Sequence, residues 1–210
     1  MTTNDRKPRW SFYPGWIALS AISGPLAWWI AWLLISQIQR VVGSTVQVGG
    51  QSRITEDFLL GTILLPLFGL LTGLLQALLL RRTLPRMGWW IVATVLGWLL
   101  PFAVLRLLSV LLAPVLDVNS TQARMLLGML IGGSMGLMQW LVLRPRVPNA
   151  AWWILASVLG WTTTALVTGE TLSSTLDMLA VVLLPPIATG FALWLLLDRF
   201  QEQRTGTELS

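Results

Sequence analysis

Six apolar runs dominate the chain, and together they leave its backbone little choice. They lie near residues 15–39, 58–80, 89–112, 124–143, 152–168 and 176–197. Each approaches the roughly 20 residues that a helix needs to cross about 30 Å of hydrocarbon. Lipid offers no partners to peptide N–H and C=O groups, so such runs must satisfy them internally, as helices. The composition agrees: 55% of the 210 residues are apolar and 11% are charged, against roughly 25% charged in a soluble domain. The expected fold is an all-α membrane protein with six transmembrane helices. A cytoplasmic N-terminal segment (1–14) precedes the transmembrane domain (15–199), and a cytoplasmic tail (200–210) follows it. The first run is longer than the apolar core of a secretory signal, about 7–15 residues, and reads as a retained span.

The charges give the orientation. Arg6, Lys7, Arg9, Arg81, Arg82, Arg86, Arg144, Arg146, Arg199 and Arg204 make ten of the fourteen basic residues, and all fall on one side of a six-span chain. The other side holds Arg40, Arg53 and Arg124 beside Glu56, Asp57, Asp117, Glu170 and Asp177. Basic loops stay cytoplasmic, so both termini are expected there. The net charge of +5 lies in short loops between apolar spans, which argues for membrane orientation and against a nucleic-acid partner. On the far side, residues 40–57 alternate Val and Thr around Gly49-Gly50, a pattern that fits a surface β-hairpin or a disordered loop.

The chain also repeats itself. Residues 69–98 and 132–161 superpose at an offset of 63 with 16 identities in 30. The shared positions include Gly69/Gly132, Gly73/Gly136, Gln76/Gln139, Arg81/Arg144, Trp89/Trp152, Trp90/Trp153, Gly97/Gly160 and Trp98/Trp161. Weaker copies follow from Trp16-x3-Ser20-x3-Gly24, aligned with Trp89 and Trp152, and from Gly190 to Trp194, aligned with Gly136 to Trp140. The six spans thus read as three parallel two-helix repeats, about 15–80, 89–143 and 152–197, related by an axis along the membrane normal. Gly128, Gly132 and Gly136 recur every fourth residue, as do Gly69 and Gly73, and Gly97 and Gly160 each close a small-xxx-small pair. That spacing puts small residues on one helix face and lets backbones approach; a gating seam is the functional alternative.

Candidate functional groups are few. Cys and His are both absent, which removes thiolate and imidazole chemistry, and no metal site is expected. With Asp and Glu confined to loops and span ends, intramembrane catalysis is disfavoured. Trp98 and Trp161 lie about 13 Å inward from Trp89 and Trp152. They read either as packing rings whose N–H meets a carbonyl, or as walls for lipid, quinone or carotenoid. Gln76 and Gln139 read as interhelical bridges or as a polar ring on a vestibule. Arg106 sits inside a span, where ionisable residues imply function by default; it can also snorkel outward or pair with Asp117 or Asp177. Thr162, Thr163 and Thr164 make the far half of the fifth span polar, as lining of a pocket with Arg106 or as hydroxyls bonded to their own helix. Pro25, Pro66, Pro101 and Pro185-Pro186 interrupt four spans, as in transporter sites or as packing kinks.

The signature GLxQWLVLR followed by P-x(3)-WW-x(2)-AS-x-LGW resembles a family of uncharacterised multi-pass bacterial membrane proteins. The match covers residues 132–161 well, 69–98 less well, and the ends poorly. The resemblance implies a repeat-built membrane domain in a bacterial inner or other energy-transducing membrane, and carries no catalytic residues. The functional expectation is a non-catalytic accessory or scaffold subunit. Its partners would be membrane lipids, an apolar ligand or pigment, another membrane protein or a second copy. The alternative is a small-solute transporter or channel with a polar outward pocket near Arg106.

Overall fold

A computed structural model describes residues 12–48, 50–84, 87–112, 120–168 and 174–208. The apolar runs are helices: α1 (Phe12–Val42), α3 (Leu65–Leu80), α4 (Gly88–Leu112), α5 (Thr121–Leu143), α6 (Trp152–Val167) and α7 (Thr175–Glu208). A short α2 (Thr55–Leu59) and one π-helical stretch (Leu60–Leu64) lead into α3. Pro66 enters at the first turn of α3. Its ring would press on the carbonyl four residues back, and the wider π turn just before it gives room. The helices run on through Pro25, Pro101 and Pro185-Pro186.

Five segments are long and apolar enough to cross a membrane: Phe12–Val42, Thr62–Leu80, Gly88–Leu105, Thr121–Leu143 and Thr175–Asp198. The protein is a multi-pass helical membrane protein. The remaining helix, α6, has 16 residues, about 24 Å of rise, which is short of a full hydrocarbon crossing. It ends where Thr168 turns extended.

The helices pack in chain order, α1 on α3, α3 on α4, and so on to α7, which returns to α1 and closes a ring. Ends are capped by local chemistry. The Ser120 hydroxyl accepts from the Ala123 N–H at 3.1 Å. Ser174 and Asp177 form a reciprocal box at the start of α7, with bonds of 3.0 and 3.1 Å, satisfying donors that a helix start leaves free. Residues 45–54 form the hairpin rather than a loose loop: β1 (Thr45–Val48) pairs antiparallel with β2 (Gln51–Ile54), Val48 opposite Gln51. The two-residue connection needs a left-handed residue, and Gly50 supplies it at φ +77°.

At the opposite end lie the basic turns, and most of their backbone bonds recur at the offset of 63. The Arg81 and Arg144 N–H groups donate to the Ala77 and Trp140 carbonyls, and those of Leu84 and Val147 to Leu80 and Leu143. The Trp90 and Trp153 N–H groups donate to Met87 and Ala150. Here the interior is packed solid. Leu80, Leu143, Leu193 and Leu197 are buried with Trp16, Trp90 and Trp153 in one cluster.

Burial changes along the helices. On α3 between Thr72 and Leu80 it alternates in helical rhythm, one face buried and one exposed. Toward the hairpin end the rhythm stops. No described side chain of Thr62–Phe68, of 102–107 on α4, of 121–127 on α5 or of 174–184 on α7 is buried, and most are half-exposed. Burial is thus densest at the basic end; at the other, α1 still buries Ala27, Ala31 and Ile35 and α6 buries Thr162, Thr164 and Thr168, while these four helix stretches bury no described side chain.

Candidate functional site

The Trp-Trp pairs divide by one step of the helix. A 100° turn sends the first ring outward and the second inward. Trp89 and Trp152 are 69% and 60% exposed, whereas Trp90 and Trp153 are at 0% and 1%. Trp16 joins them at 0%. The three rings form a triangle of edge-to-face contacts: Trp16–Trp90 at 6.1 Å, Trp16–Trp153 at 5.7 Å and Trp90–Trp153 at 5.6 Å. Such pairs contribute beyond area burial, about 0.5–1.5 kcal/mol each. Trp16 thus meets the second Trp of each pair, one position on from the Trp89 and Trp152 with which the sequence aligns it.

Gln76 and Gln139 lie against this triangle and are buried. The Trp90 Nε1–H donates to Gln76 Oε1, and the Trp153 Nε1–H to Gln139 Oε1, both at 3.0 Å. Gln76 Nε2 donates to Ser20 Oγ at 2.9 Å and Gln139 Nε2 to Thr94 Oγ1 at 3.0 Å. Gln139 also reaches Gln76 Oε1 at 3.5 Å. The Thr94 hydroxyl donates to the Trp90 carbonyl at 2.8 Å, and the Ser23 and Thr72 hydroxyls meet at 2.7 Å. The third indole uses another acceptor, with Trp16 Nε1 donating to Thr189 Oγ1 at 3.2 Å, while Leu193 fills the place of a glutamine in the core. Sequence reading singled out the glutamines, read Ser20 only as a small packing residue, and passed over Thr94, Thr72 and Thr189. Ser20 and Thr94 each lie one turn after an inward Trp, whereas no such spacing marks Thr72 or Thr189.

The glycines sit where helices touch. A Cβ on Gly69, Gly73, Gly97, Gly128, Gly132, Gly136 or Gly160 would come within 2.5–3.0 Å of a neighbouring helix. Gly69 and Gly73 face α4 at Val95 and Ile91, and Gly132 and Gly136 face α6 at Val158 and Ile154, the same contact twice.

Two turns farther from the basic end, Trp98 and Trp161 meet each other across the ring, 5.1 Å apart and at 89°. Phe68 of α3 meets Trp98 at 4.4 Å. Gly24 of α1 leaves the room Phe68 occupies, since a Cβ there would be 3.2 Å from its ring. This aromatic layer closes the packed half. Trp98 is buried, but its Nε1–H finds no hydrogen-bond partner among the described residues.

The threonines of α6 part company. Thr163 faces outward, while Thr162 and Thr164 are buried. Thr164 and Thr168 hydroxyls donate to the carbonyls of Gly160 and Thr164 at 2.8 and 2.9 Å; Thr162 Oγ1 sits unpaired in the seam with α5 at Gly128. Arg124 ties α5 to the end of α6, Nη1 donating to the Thr168 carbonyl at 3.3 Å. Arg106 lies on α4, and its side chain, like Asp117, falls outside the described residues. The structure therefore brings Gln76 and Gln139 together, and Trp98 with Trp161, in two separate layers. Among the described residues no group of three or more Asp and Glu is placed to hold a metal. The chain matches no protein family, no curated protein and no solved structure.

Proposed function

We propose that this protein is a non-catalytic integral membrane scaffold whose hairpin-end half holds an apolar ligand, with lipid as the default occupant. The observation that carries this reading is the contrast between its two halves. At the basic end three fully buried indoles and two bonded glutamines fill the ring. Beyond the Phe68–Trp98–Trp161 layer, four helices present no buried described side chain over a turn or more each. A solute crossing the bundle would have to part the triangle and break its hydrogen bonds, so the plug speaks against the channel reading. An empty apolar ring inside a bilayer, by contrast, fills with hydrocarbon at little cost, because lipid chains are as apolar as leucine.

The reading includes a three-fold construction. Supporting it, Trp16, Trp90 and Trp153 share one layer, Leu80, Leu143 and Leu197 are buried in the same cluster, and Ser23–Thr72 recurs in the approach of Gly97 to Met135. The glycine-lined contacts of α3 with α4 and of α5 with α6 are the same contact twice. With both termini and the basic turns on the cytoplasmic side, the plug faces the cytoplasm and the ligand space faces outward.

The test is purification in mild detergent, with native mass spectrometry and solute flux in proteoliposomes. One or two retained lipids and no flux across ions, sugars and amino acids are expected. Robust flux of any of these, or a protein that retains no apolar molecule, would overturn the proposal.

A further inference from the structure

Two arginines in the turn between α5 and α6 fold back along the span instead of away from it. Arg144 follows the last residue of α5, and its guanidinium lies over the Trp140 ring, 5.2 Å from the centroid. Arg146 reaches back the same four residues, its Nη1 donating to the Val142 carbonyl. A guanidinium carries five N–H donors, so both keep most of theirs free. Arg144 is exposed and Arg146 half-exposed. No ion pair joins either to an Asp or Glu among the described residues, and the chain holds no Asp or Glu from Val118 to Gly169. At the same turn opens a shallow groove of about 260 Å³, lined by Asn149, Ala151, Trp152 and Leu155. The seam between the helices sets its depth. Gly132 and Gly136 meet Val158 and Ile154, so the next turn brings Trp140, and the guanidinium over it, level with Ala151. The first copy of the turn lacks these parts: Ala77, Thr83 and Arg86 stand where Trp140, Arg146 and Asn149 do.

From this geometry we infer that the α5–α6 turn docks an anionic phospholipid of the leaflet at the basic end, with its phosphate on Arg144 and Arg146 and a chain along Trp152 and Leu155. The planar fork of a guanidinium matches phosphate oxygens. Two cations without acidic partners supply the charge complementarity, at the depth where lipid headgroups lie. Trp152 and Leu155, 60% and 45% exposed, offer apolar contact one turn farther into the span. Asn149, held in the left-handed region at φ 55°, adds an amide to the groove. A soluble anion would use the arginines and leave the groove empty, whereas a lipid uses both. A zwitterionic lipid presents the same phosphate, but its own ammonium offsets the attraction. This site is separate from the apolar one proposed at the hairpin end and does not depend on it.

The experiment uses the full chain, delipidated in detergent, and three probes: phosphatidylglycerol, phosphatidylcholine with identical chains, and glycerophosphoglycerol, the chainless headgroup. Native mass spectrometry reads the bound fraction of each. Phosphatidylglycerol is expected to bind about tenfold more tightly than phosphatidylcholine, with a preference that shrinks as salt rises. Arg144→Gln and Arg146→Gln should each weaken phosphatidylglycerol about fivefold and leave phosphatidylcholine nearly unchanged. Thermal midpoints are read alongside. If Arg146→Gln unfolds the protein by freeing the Val142 carbonyl, Arg144→Gln decides alone, since its guanidinium holds only a ring contact. Arg81→Gln, in the copy without the Trp and the second arginine, should leave the preference intact. Equal binding of the two lipids, or the same loss on Arg81→Gln as on Arg144→Gln, overturns the inference. Displacement of the lipid by an equal concentration of glycerophosphoglycerol overturns it too, because a bare anion site needs no groove. An apolar molecule still retained by Arg144→Gln leaves the site at the hairpin end standing whichever way these outcomes fall.

Discussion

Replacing Gln139 by leucine isolates what the buried amide does. Leucine fits a position of this kind, since Leu193 occupies the same core fully buried. What the change removes is chemical. Gln139 Oε1 accepts from Trp153 Nε1 and its Nε2 donates to Thr94 Oγ1, both at 3.0 Å. Interhelical hydrogen bonds in membranes contribute on average about 0.6 kcal/mol and at most about 1.7. Stranding the Trp153 N–H in the core adds about 1–3 kcal/mol. Thr94 keeps its own bond to the Trp90 carbonyl and adds little. Gln139→Leu should therefore destabilise the fold by about 2–4 kcal/mol. Trp153→Phe deletes the donor instead and strands the amide oxygen. In the double variant neither group is stranded, so its cost should fall below the sum of the singles by about 1–3 kcal/mol. Reversible unfolding in mixed micelles, run on all four proteins, measures this coupling. Additivity within about 0.5 kcal/mol would refute the claim that these two groups act as a pair.

Adjacent glycines should behave oppositely. Gly132→Ala puts a Cβ 2.5 Å from the Ser157 carbonyl oxygen and should destabilise by about 1–3 kcal/mol. Gly133→Ala, with nothing nearer than 3.9 Å, should be neutral or gain up to about 1 kcal/mol of helix propensity; thermal midpoints in detergent compare them. Within one Trp pair, Trp90→Ala should cost about 3–5 kcal/mol, while Trp89→Ala, at a 69% exposed ring, should leave the unfolding midpoint nearly unchanged. At the hairpin, Gly50→Ala forces an L residue to φ +77°, a strain of about 1 kcal/mol or more. Amide exchange of β1 and β2 should quicken while that of α4 stays the same.

Much of the fold was legible in the sequence because lipid allows so few answers. Apolar run length gave six helices, of which five are long enough to cross a membrane and α6 is not, and Gly49-Gly50 between alternating Val and Thr left hairpin and disordered loop both open until the structure paired β1 with β2. The 63-residue offset anticipated the doubled turn at Arg81 and Arg144, because identical residues at a helix end find identical bonds. Which ring of each Trp pair faces inward was not legible. Both rings suit an interface, and only the 100° step relative to Gly73 and Gly136 decides. Phe68 was missed because a phenylalanine in an apolar run carries no signal until Gly24, on another helix, makes room for it. The packing expectation for Trp98 had its N–H meet a carbonyl, yet it finds no acceptor among the described residues, which depends on the shape of the ring and no motif encodes that.

The central claim is that the two halves differ: one sealed, one able to take a lipid. The natural chain has no cysteine, so one introduced thiol reports alone. Leu143→Cys probes a fully buried site in the plug, and Val182→Cys a half-exposed site on α7 in the other half. In detergent, N-ethylmaleimide should modify Val182→Cys at least tenfold faster, and added diester phosphatidylglycerol should slow that reaction. Leu143→Cys should react only on unfolding. Equal rates at the two positions, or no protection of Val182→Cys by lipid, would contradict the account.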